Sequence, residues 1–573
     1  MKKGLRIRRG TAGLMICILL VSFLFLPPLN ATADSSVIRV LLTRVEPGES
    51  MTLSLDGSYS IGELTFQRGS QLMLSCAGGK LIVYYEGMAF QAGKEAVFVR
   101  HAVPDGQENG IRINGGYPLY CGDMHITMAE RQLRAVLHIA VEEYLLGVVP
   151  YEMNDAFPPE ALKAQAIAAR TYALRKAGGS GAYDVVDNTN DQVYRGYLKE
   201  NSRAAQAVRD TEGVCAFDGK KLANCYYTAS NGGQVEIPEH VWGQEGSYIT
   251  MHTDPYDVEN PESVVKSVLL PREPKDKPLG GADFEQALLL LLSEPLSSLG
   301  YSGEAEDARI LRIVGMEMRD PAWEGSLVMN TLRMTVMAEA RRPVSQAMLD
   351  DEEISIFQQP ATASPVPTAL PTPQQAPFAA VEQPLTVDVP VFSCLEPLLG
   401  LSINPSKNEI ITVEDTEAGY VIASRRYGHG VGMSQRGAQW MAAQYGWDYE
   451  QILRFYYPGA SLRKIDTQVT PAPAIDSDYL ATPGPAATPT PRPTLMPAES
   501  ALQPGEWRAA VTNIGVNSYL NLRSAPSLEA DVVRQLYYGQ KLIVTGQPQE
   551  GWLQVKTDVI EGYVMEQFTE KTE

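Results

Sequence analysis

Short apolar runs separated by Gly, Asp and Ser turns fill residues 34–135, as in Val37-Ile38-Arg39-Val40-Leu41-Leu42, Lys80-Leu81-Ile82-Val83-Tyr84-Tyr85 and Ile111-Arg112-Ile113-Asn114. Runs of this length and spacing predict a β-rich region. The period lengthens near Val141, and Pro158 to Lys176 predicts a helix whose prolines suit its first turn. Leu162, Ala166, Ala169 and Ala173 fall at i, i+4, i+7 and i+11, one face of that helix, and their small side chains permit close approach to a neighbour. Lys163, Ile167, Arg170 and Leu174 form an adjacent stripe, its two cations two turns or about 10 Å apart. Short strands and loops return over residues 183–257, Phe284 to Leu292 reads as helix, and Ile310 to Met337 reads as strands again. Asp448 with Gln451 has the form of a capping box, and Pro458-Gly459 stops the helix it opens. The expected class is α+β, a β-rich body with an inserted helical cleft.

Two segments break the pattern. Residues 358–383 are rich in Pro, Ala and Thr and predict a disordered insertion; residues 467–505 repeat that composition and predict an extended linker. Beyond the linker, residues 507–570 space strands and turns regularly, as expected of a small all-β module.

Composition narrows the class. A chain of 573 residues exceeds one hydrophobic core, while 44% hydrophobic and 20% charged residues are ordinary for globular protein. The formal charge of −20 argues against nucleic acid as a partner, because phosphate backbones demand cationic surface, and leaves a neutral glycan admissible. Residues 1–33 combine a basic start, the apolar run Leu14 to Leu26 and the small residues Ala31-Thr32-Ala33, the pattern of a signal peptide or an N-terminal membrane anchor. Both place the rest of the chain outside the cytoplasm, secreted or anchored at the wall. Cys76, Cys121, Cys215, Cys225 and Cys394 are a sparse set; Cys215 and Cys225, flanking a turn at Asp218-Gly219, are candidates for a bridge. No CxxC or HExxH occurs, so no metal and no cofactor are expected.

The chemistry concentrates in three places. Val148-Val149-Pro150-Tyr151-Glu152-Met153 sets one carboxyl among apolar neighbours, and a poorly hydrated acid holds its proton toward neutral pH. Gly428-His429-Gly430-Val431-Gly432 strips side chains from around an imidazole, with Ser434 placed to cap the next helix. Between them, Tyr226 to Glu236 leads from a strand into a polar turn, TASNGGQVE, whose hydroxyls and amides suit a glycan. Trp440, Trp447, Tyr456 and Tyr457 are assigned to core.

The quoted segments EM-x-x-x-FP-x-EALKAQA-x-AARTYAL, Ser-x-Gly-Gly-x-x-Glu and GHGVGMSQ-x-GA, in this order, resemble the SpoIID/LytB family of bacterial envelope proteins. That family includes the stage II sporulation protein D lytic transglycosylases and the LytB-type amidase enhancers. The resemblance covers residues 36–463. It implies cleavage of the MurNAc–GlcNAc β-1,4 bond of peptidoglycan glycan strands, in wall remodelling such as that of sporulation. The alternative it leaves is a non-catalytic enhancer of a cell-wall amidase. The family's catalytic glutamate maps onto Glu152, and Lys163, Arg170, Ser230 and His429 onto cleft positions, with Tyr172, Gly232, Gly233, Gly430, Ser434 and Gln435 as further substrate-binding candidates. Two positions depart from the family pattern: Asn154 stands where proline is usual after Glu-Met, and Tyr227 where a histidine is common beside Cys225. The 507–570 module resembles bacterial SH3 barrels, which implies binding to wall peptides.

Overall fold

The computed structural model describes residues 36–343, 376–475 and 502–572, short internal gaps apart. The 1–33 leader, residues 358–375 of the expected insertion and residues 476–501 of the linker lie outside the described residues. The chain divides into two compact units, residues 1–474 and 475–573.

Alternation in the first hundred residues produces sheet, as its period requires. A seven-stranded sheet runs in the order Val185–Val186, Val37–Leu41, Gln132–Ala140, Asp123–Ala129, Glu95–Arg100, Tyr59–Ile61, Leu64–Phe66. Val37 pairs with Ala140 and Leu41 with Val136 antiparallel, which turns Ile38 and Val40 into the core. A second sheet orders Met88–Gly93, Lys80–Tyr85, Gln71–Ala77, Ser50–Leu55 and Ile111–Ile113, and its buried face joins the same core.

That core wraps the alanine-rich helix Pro159–Lys176, and the outcome differs from a single apolar face. Twelve of its residues are buried, from Ala161 to Leu174, because methyl side chains let strands and helices close on it from nearly every side. Arg170 is enclosed with them. Its guanidinium grips Glu142 through two bonds of 2.8 and 2.7 Å and donates to the Val208 and Val214 carbonyls at 3.2 Å. Glu142 also accepts from the Gly213 amide and the Thr467 hydroxyl. The start of the Pro-rich tract is therefore ordered, since Thr467 is buried and Ala472 pairs with His101.

Residues 265–425 build a second core of their own, centred on Leu332, Met334, Val336, Phe284 and Ile422. Two long strands, Ala308–Pro321 and Met329–Ala340, pair antiparallel with two bulges, and Leu385–Pro390 adds to the outer edge of the second. The helix expected from Phe284 to Leu292 spans Ala282–Leu291. Part of the expected disorder is in fact strand: Ala379–Ala380 pairs with Glu339 and Ala340, and Val381 is buried. A Pro/Ala/Thr-rich composition does not stop a segment from adding to an available edge.

The second unit is all β. Seven strands run in the order Val532–Tyr537, Tyr519–Arg523, Glu561–Met565, Trp552–Lys556, Lys541–Gln549, Trp507–Val511, Thr569–Lys571 around Leu522, Leu536, Val544, Val555 and Val564. Among the described residues no helix is long and apolar enough to cross a membrane.

Arg170→Ala leaves Glu142 partly enclosed without its cation, a loss of about 3–5 kcal/mol. Urea unfolding of the wild type and variant should show that difference, and a change under 1 kcal/mol would refute the structural assignment of Arg170.

Candidate functional site

Glu152 closes a single helical turn, Val149–Glu152, after which Met153 turns extended. Asn154 does not loosen this turn: its side-chain oxygen accepts from the Ala156 amide at 2.9 Å, and its carbonyl accepts from Phe157 at 2.9 Å. An asparagine Asx turn fixes the chain where proline would have fixed φ. The nearby acids are occupied elsewhere, Asp155 by the Ala204 amide and Glu160 by Lys163 and the Tyr449 amide. Glu152, by contrast, is bonded by residues of both later motifs.

Its side chain is half-buried, with one oxygen accepting from the Val193 amide at 2.7 Å and further hydrogen bonds from Gln435 and Tyr227. Burial pushes its carboxyl up to about 7, and those three hydrogen bonds, which favour the anion, hold it from rising further. The bonds extend inward: Gln192 donates to the Tyr227 oxygen at 3.0 Å and accepts from Tyr144 at 3.1 Å. Tyr227, Gln192 and Val193 were not among the sequence candidates. Tyr227 had a signal, its departure from the common histidine; Gln192 and Val193 had none.

The other two motifs meet Glu152 because they are joined to each other. Tyr227–Thr228 pairs in parallel with Met433–Ser434, a two-residue ladder between segments two hundred residues apart. Asp257, buried, accepts the Ser230 hydroxyl at 2.8 Å, the Asn231 amide at 3.0 Å and the Ser434 hydroxyl. Arg426, also buried, donates to the carbonyls of Asn231 and Gln234 and lies 3.6 Å from Glu236. The glycines answer to this crowding. A Cβ on Gly432 would stand 2.1 Å from the Tyr226 carbonyl oxygen, and one on Gly430 2.8 Å from the Arg426 guanidinium.

His429 is held neutral. Its Nδ1 accepts from the Val431 amide at 3.0 Å and the ring bonds the Tyr227 carbonyl, which makes the remaining nitrogen the donor. Burial lowers it to about 4. Both ring nitrogens are bonded within the protein.

Several of the substrate-binding candidates have partners within the protein. Arg170 is enclosed with Glu142; Lys163 pairs with Glu160 at 2.8 Å and Asp210 at 3.5 Å. Ser230 and Ser434 are spent on Asp257, Ser434 capping its helix by accepting from Gly437. Gly232, Gly233 and Gly430 are buried where Arg426 or Val258 leaves no space for a side chain. Arg170, Ser230 and Ser434 are thus bonded within the protein, the three glycines sit where a side chain would collide, and Lys163 keeps part of its side chain exposed. Gln435 reaches Glu152, and Tyr172 lies close enough to feel its charge while its hydroxyl donates to Asp191 at 3.0 Å.

Cys215 and Cys225 are free and buried, both hydrogen-bonded to Thr171 rather than bridged, and burial raises the Cys215 thiol to about 11. Among the described residues no group of three or more His, Cys, Asp or Glu side chains is placed to hold a metal. Tyr456 and Tyr457 are core, as expected, and Trp440 donates to Glu259 at 3.2 Å.

Removing the Tyr227 hydroxyl takes away a bond that favours the Glu152 anion. Carbonyl NMR of the folded chain should place the Glu152 midpoint near 7 in the wild type and higher in Tyr227→Phe. The linkage has a fixed sign: the folded carboxyl binds a proton up to about 7 while the ordinary value is 4.5, so stability falls as pH rises between the two. Glu152→Gln should reduce that slope in denaturation series across the same range, leaving the part that Asp254 contributes; an unchanged slope, or a wild-type midpoint near 4.5, would contradict the assignment.

Residues 129–217 match the family model described as stage II sporulation protein, SpoIID, and residues 518–570 that of the bacterial SH3 domain. The amidase enhancer of Bacillus subtilis is 29% identical over 323 residues, 56% of this chain but 40% of that protein. Stage II sporulation protein D of Bacillus subtilis is 23% identical over 428 residues, 72% of this chain and 97% of that protein. An uncharacterized protein of Brachyspira hyodysenteriae is 25% identical over 437 residues, 75% of this chain and 94% of that protein.

Proposed function

We propose, for a chain that carries a SpoIID domain and ends in a bacterial SH3 domain, that it acts outside the cytoplasm on the cell wall as a peptidoglycan lytic transglycosylase with Glu152 as its acid and base. One observation carries the reading: a carboxyl raised to about 7 by burial and bonded by Val193, Gln435 and Tyr227, while among the described residues the nearby acids Asp155 and Glu160 are bonded elsewhere. Hydrolysis by inversion or retention takes two carboxyl groups, one donor and one base or nucleophile. A lytic transglycosylase needs one. Glu152, half of it protonated near neutral pH, gives its proton to the glycosidic oxygen as the C1–O4 bond breaks. The C6 hydroxyl of the same muramyl residue then closes on C1, and its proton returns to Glu152. The product is a 1,6-anhydro sugar, no water is consumed, and the enzyme ends as it began.

The pocket chemistry fits this cycle. Three hydrogen bonds from neutral or backbone groups, with a lesser pull from the Arg195 charge, offset only part of the burial and leave a carboxyl that can exist in both states. His429, neutral and doubly bonded, adds no charge. Purified glycan strands should yield anhydro-muropeptides with the wild type and lose about 10²- to 10⁴-fold in rate with Glu152→Gln. Equal yields from the two, read by mass spectrometry, would reject the role of Glu152.

A second reading has an observation behind it, the likeness to a protein named amidase enhancer. As an enhancer the chain would give no sugar product and would raise the activity of a cell-wall amidase equally well with Glu152→Gln. The SH3 domain suits both readings as a wall-peptide binder. Full-length protein should sediment with purified walls and a chain ending at residue 474 should sediment less; equal sedimentation would remove that role.

A further inference from the structure

Beside the carboxyl pocket runs a strip of four rings that none of the motif residues accounts for in full. Tyr172 lies 6.2 Å from Tyr226, Tyr226 4.7 Å from Trp242, and Trp242 4.9 Å from His429, centroid to centroid. The first contact is edge-on and the next two are tilted, so the rings follow one another as a strip instead of one stack. Trp242 closes the short helix Pro238–Trp242 and is 41% exposed, unlike the enclosed aromatics of the core. Gly243 follows in the left-handed conformation and turns the chain away, which leaves the indole standing at the rim.

Both ends of the strip touch the Glu152 environment. Tyr172 feels the Glu152 charge, and His429 bonds the carbonyl of Tyr227, whose phenol bonds Glu152. The edges are polar: the Tyr226 hydroxyl donates to Gln244 at 3.0 Å and the Tyr172 hydroxyl to Asp191 at 3.0 Å. A flat apolar surface with hydrogen-bonding margins matches a pyranose ring, whose C–H face is apolar and whose rim carries hydroxyl and acetamido groups. The surplus of acidic residues in the chain disfavours an anionic aromatic-binding partner such as a nucleic acid.

We infer that Trp242 and Tyr226 form a sugar-stacking subsite that seats one N-acetylated hexosamine of a glycan strand beside Glu152, with Trp242 as its principal contact. The inference rests on the reading of the chain as a glycan-binding protein and adds the residues that hold the strand in register. Trp242 does no chemistry; it contributes binding energy and orientation, as exposed indoles at recognition sites commonly do. His429 is the back support of the indole, which gives the glycine-flanked ring a use that its neutral state allows.

The test uses the full chain carrying Glu152→Gln, so that glycan is not consumed, with peptide-free glycan strands as the probe. Titration calorimetry should show binding that weakens about tenfold on adding Trp242→Ala and recovers in part with Trp242→Phe. Circular dichroism of each variant should remain that of the parent. In the otherwise wild-type chain, Trp242→Ala should raise KM and leave kcat near its original value. Equal glycan affinity with and without the indole, or no glycan binding by the Glu152→Gln chain, overturns the subsite. Indole-dependent binding together with no anhydro product from the wild type upholds the subsite while rejecting the transglycosylase, so the two claims fail separately.

Discussion

The buried carboxylate of Asp257 is the constraint on which the site depends. It accepts the Ser230 hydroxyl, the Asn231 amide and the Ser434 hydroxyl, and so fixes the middle and late motifs to one another. Once these are fixed, Tyr227 and Gln435 each hydrogen-bond Glu152. Arg426 reinforces the joint from the other side through the carbonyls of Asn231 and Gln234. Next to Asp257, Asp254 accepts from Asn231 and Tyr456, and burial followed by the Asp257 charge raises it to about 6. Buried carboxylates of this kind are stable only when donors surround them, so the polar residues of both motifs are held in a nearly single arrangement.

Glu152 depends on that arrangement in a second way. Its elevated proton affinity comes from burial, in a turn that packs against the alanine-rich helix. A helix made of methyl groups gives little specificity by shape. It does allow close approach on every side, and Arg170 then locks one side to Glu142 while Thr467 adds the end of the unit to the same carboxylate. The packing of the body and the acidity of one side chain are thus parts of the same close approach.

The 265–425 segment shows how an interruption can leave a site intact. It begins at Val265 and ends at Arg425, and these two residues pair with each other in adjacent strands. Entry and exit therefore lie side by side. The segment folds around its own core, and the chain resumes at Arg426, the residue that anchors the late motif.

Glu152 was legible from sequence because an acid among Val148, Val149, Pro150 and Met153 states its own poor hydration, a local property. The alanine-rich helix, the capping box at Asp448 and the β-rich first hundred residues were legible for the same reason: periodicity and caps act over a few positions. What the motif residues do was not. Arg170, Ser230 and Ser434 bond to Glu142 and Asp257, partners 28, 27 and 177 positions away that local sequence does not name. Tyr227, Gln192 and the exposed Trp242 gain their meaning only from neighbours that the fold supplies. Sequence by itself determined where the poorly hydrated carboxyl lies and which segments form helix or strand. Tertiary structure alone decided which polar groups are spent on one another and which remain for a ligand, because a buried hydrogen bond has two partners and local sequence names only one of them.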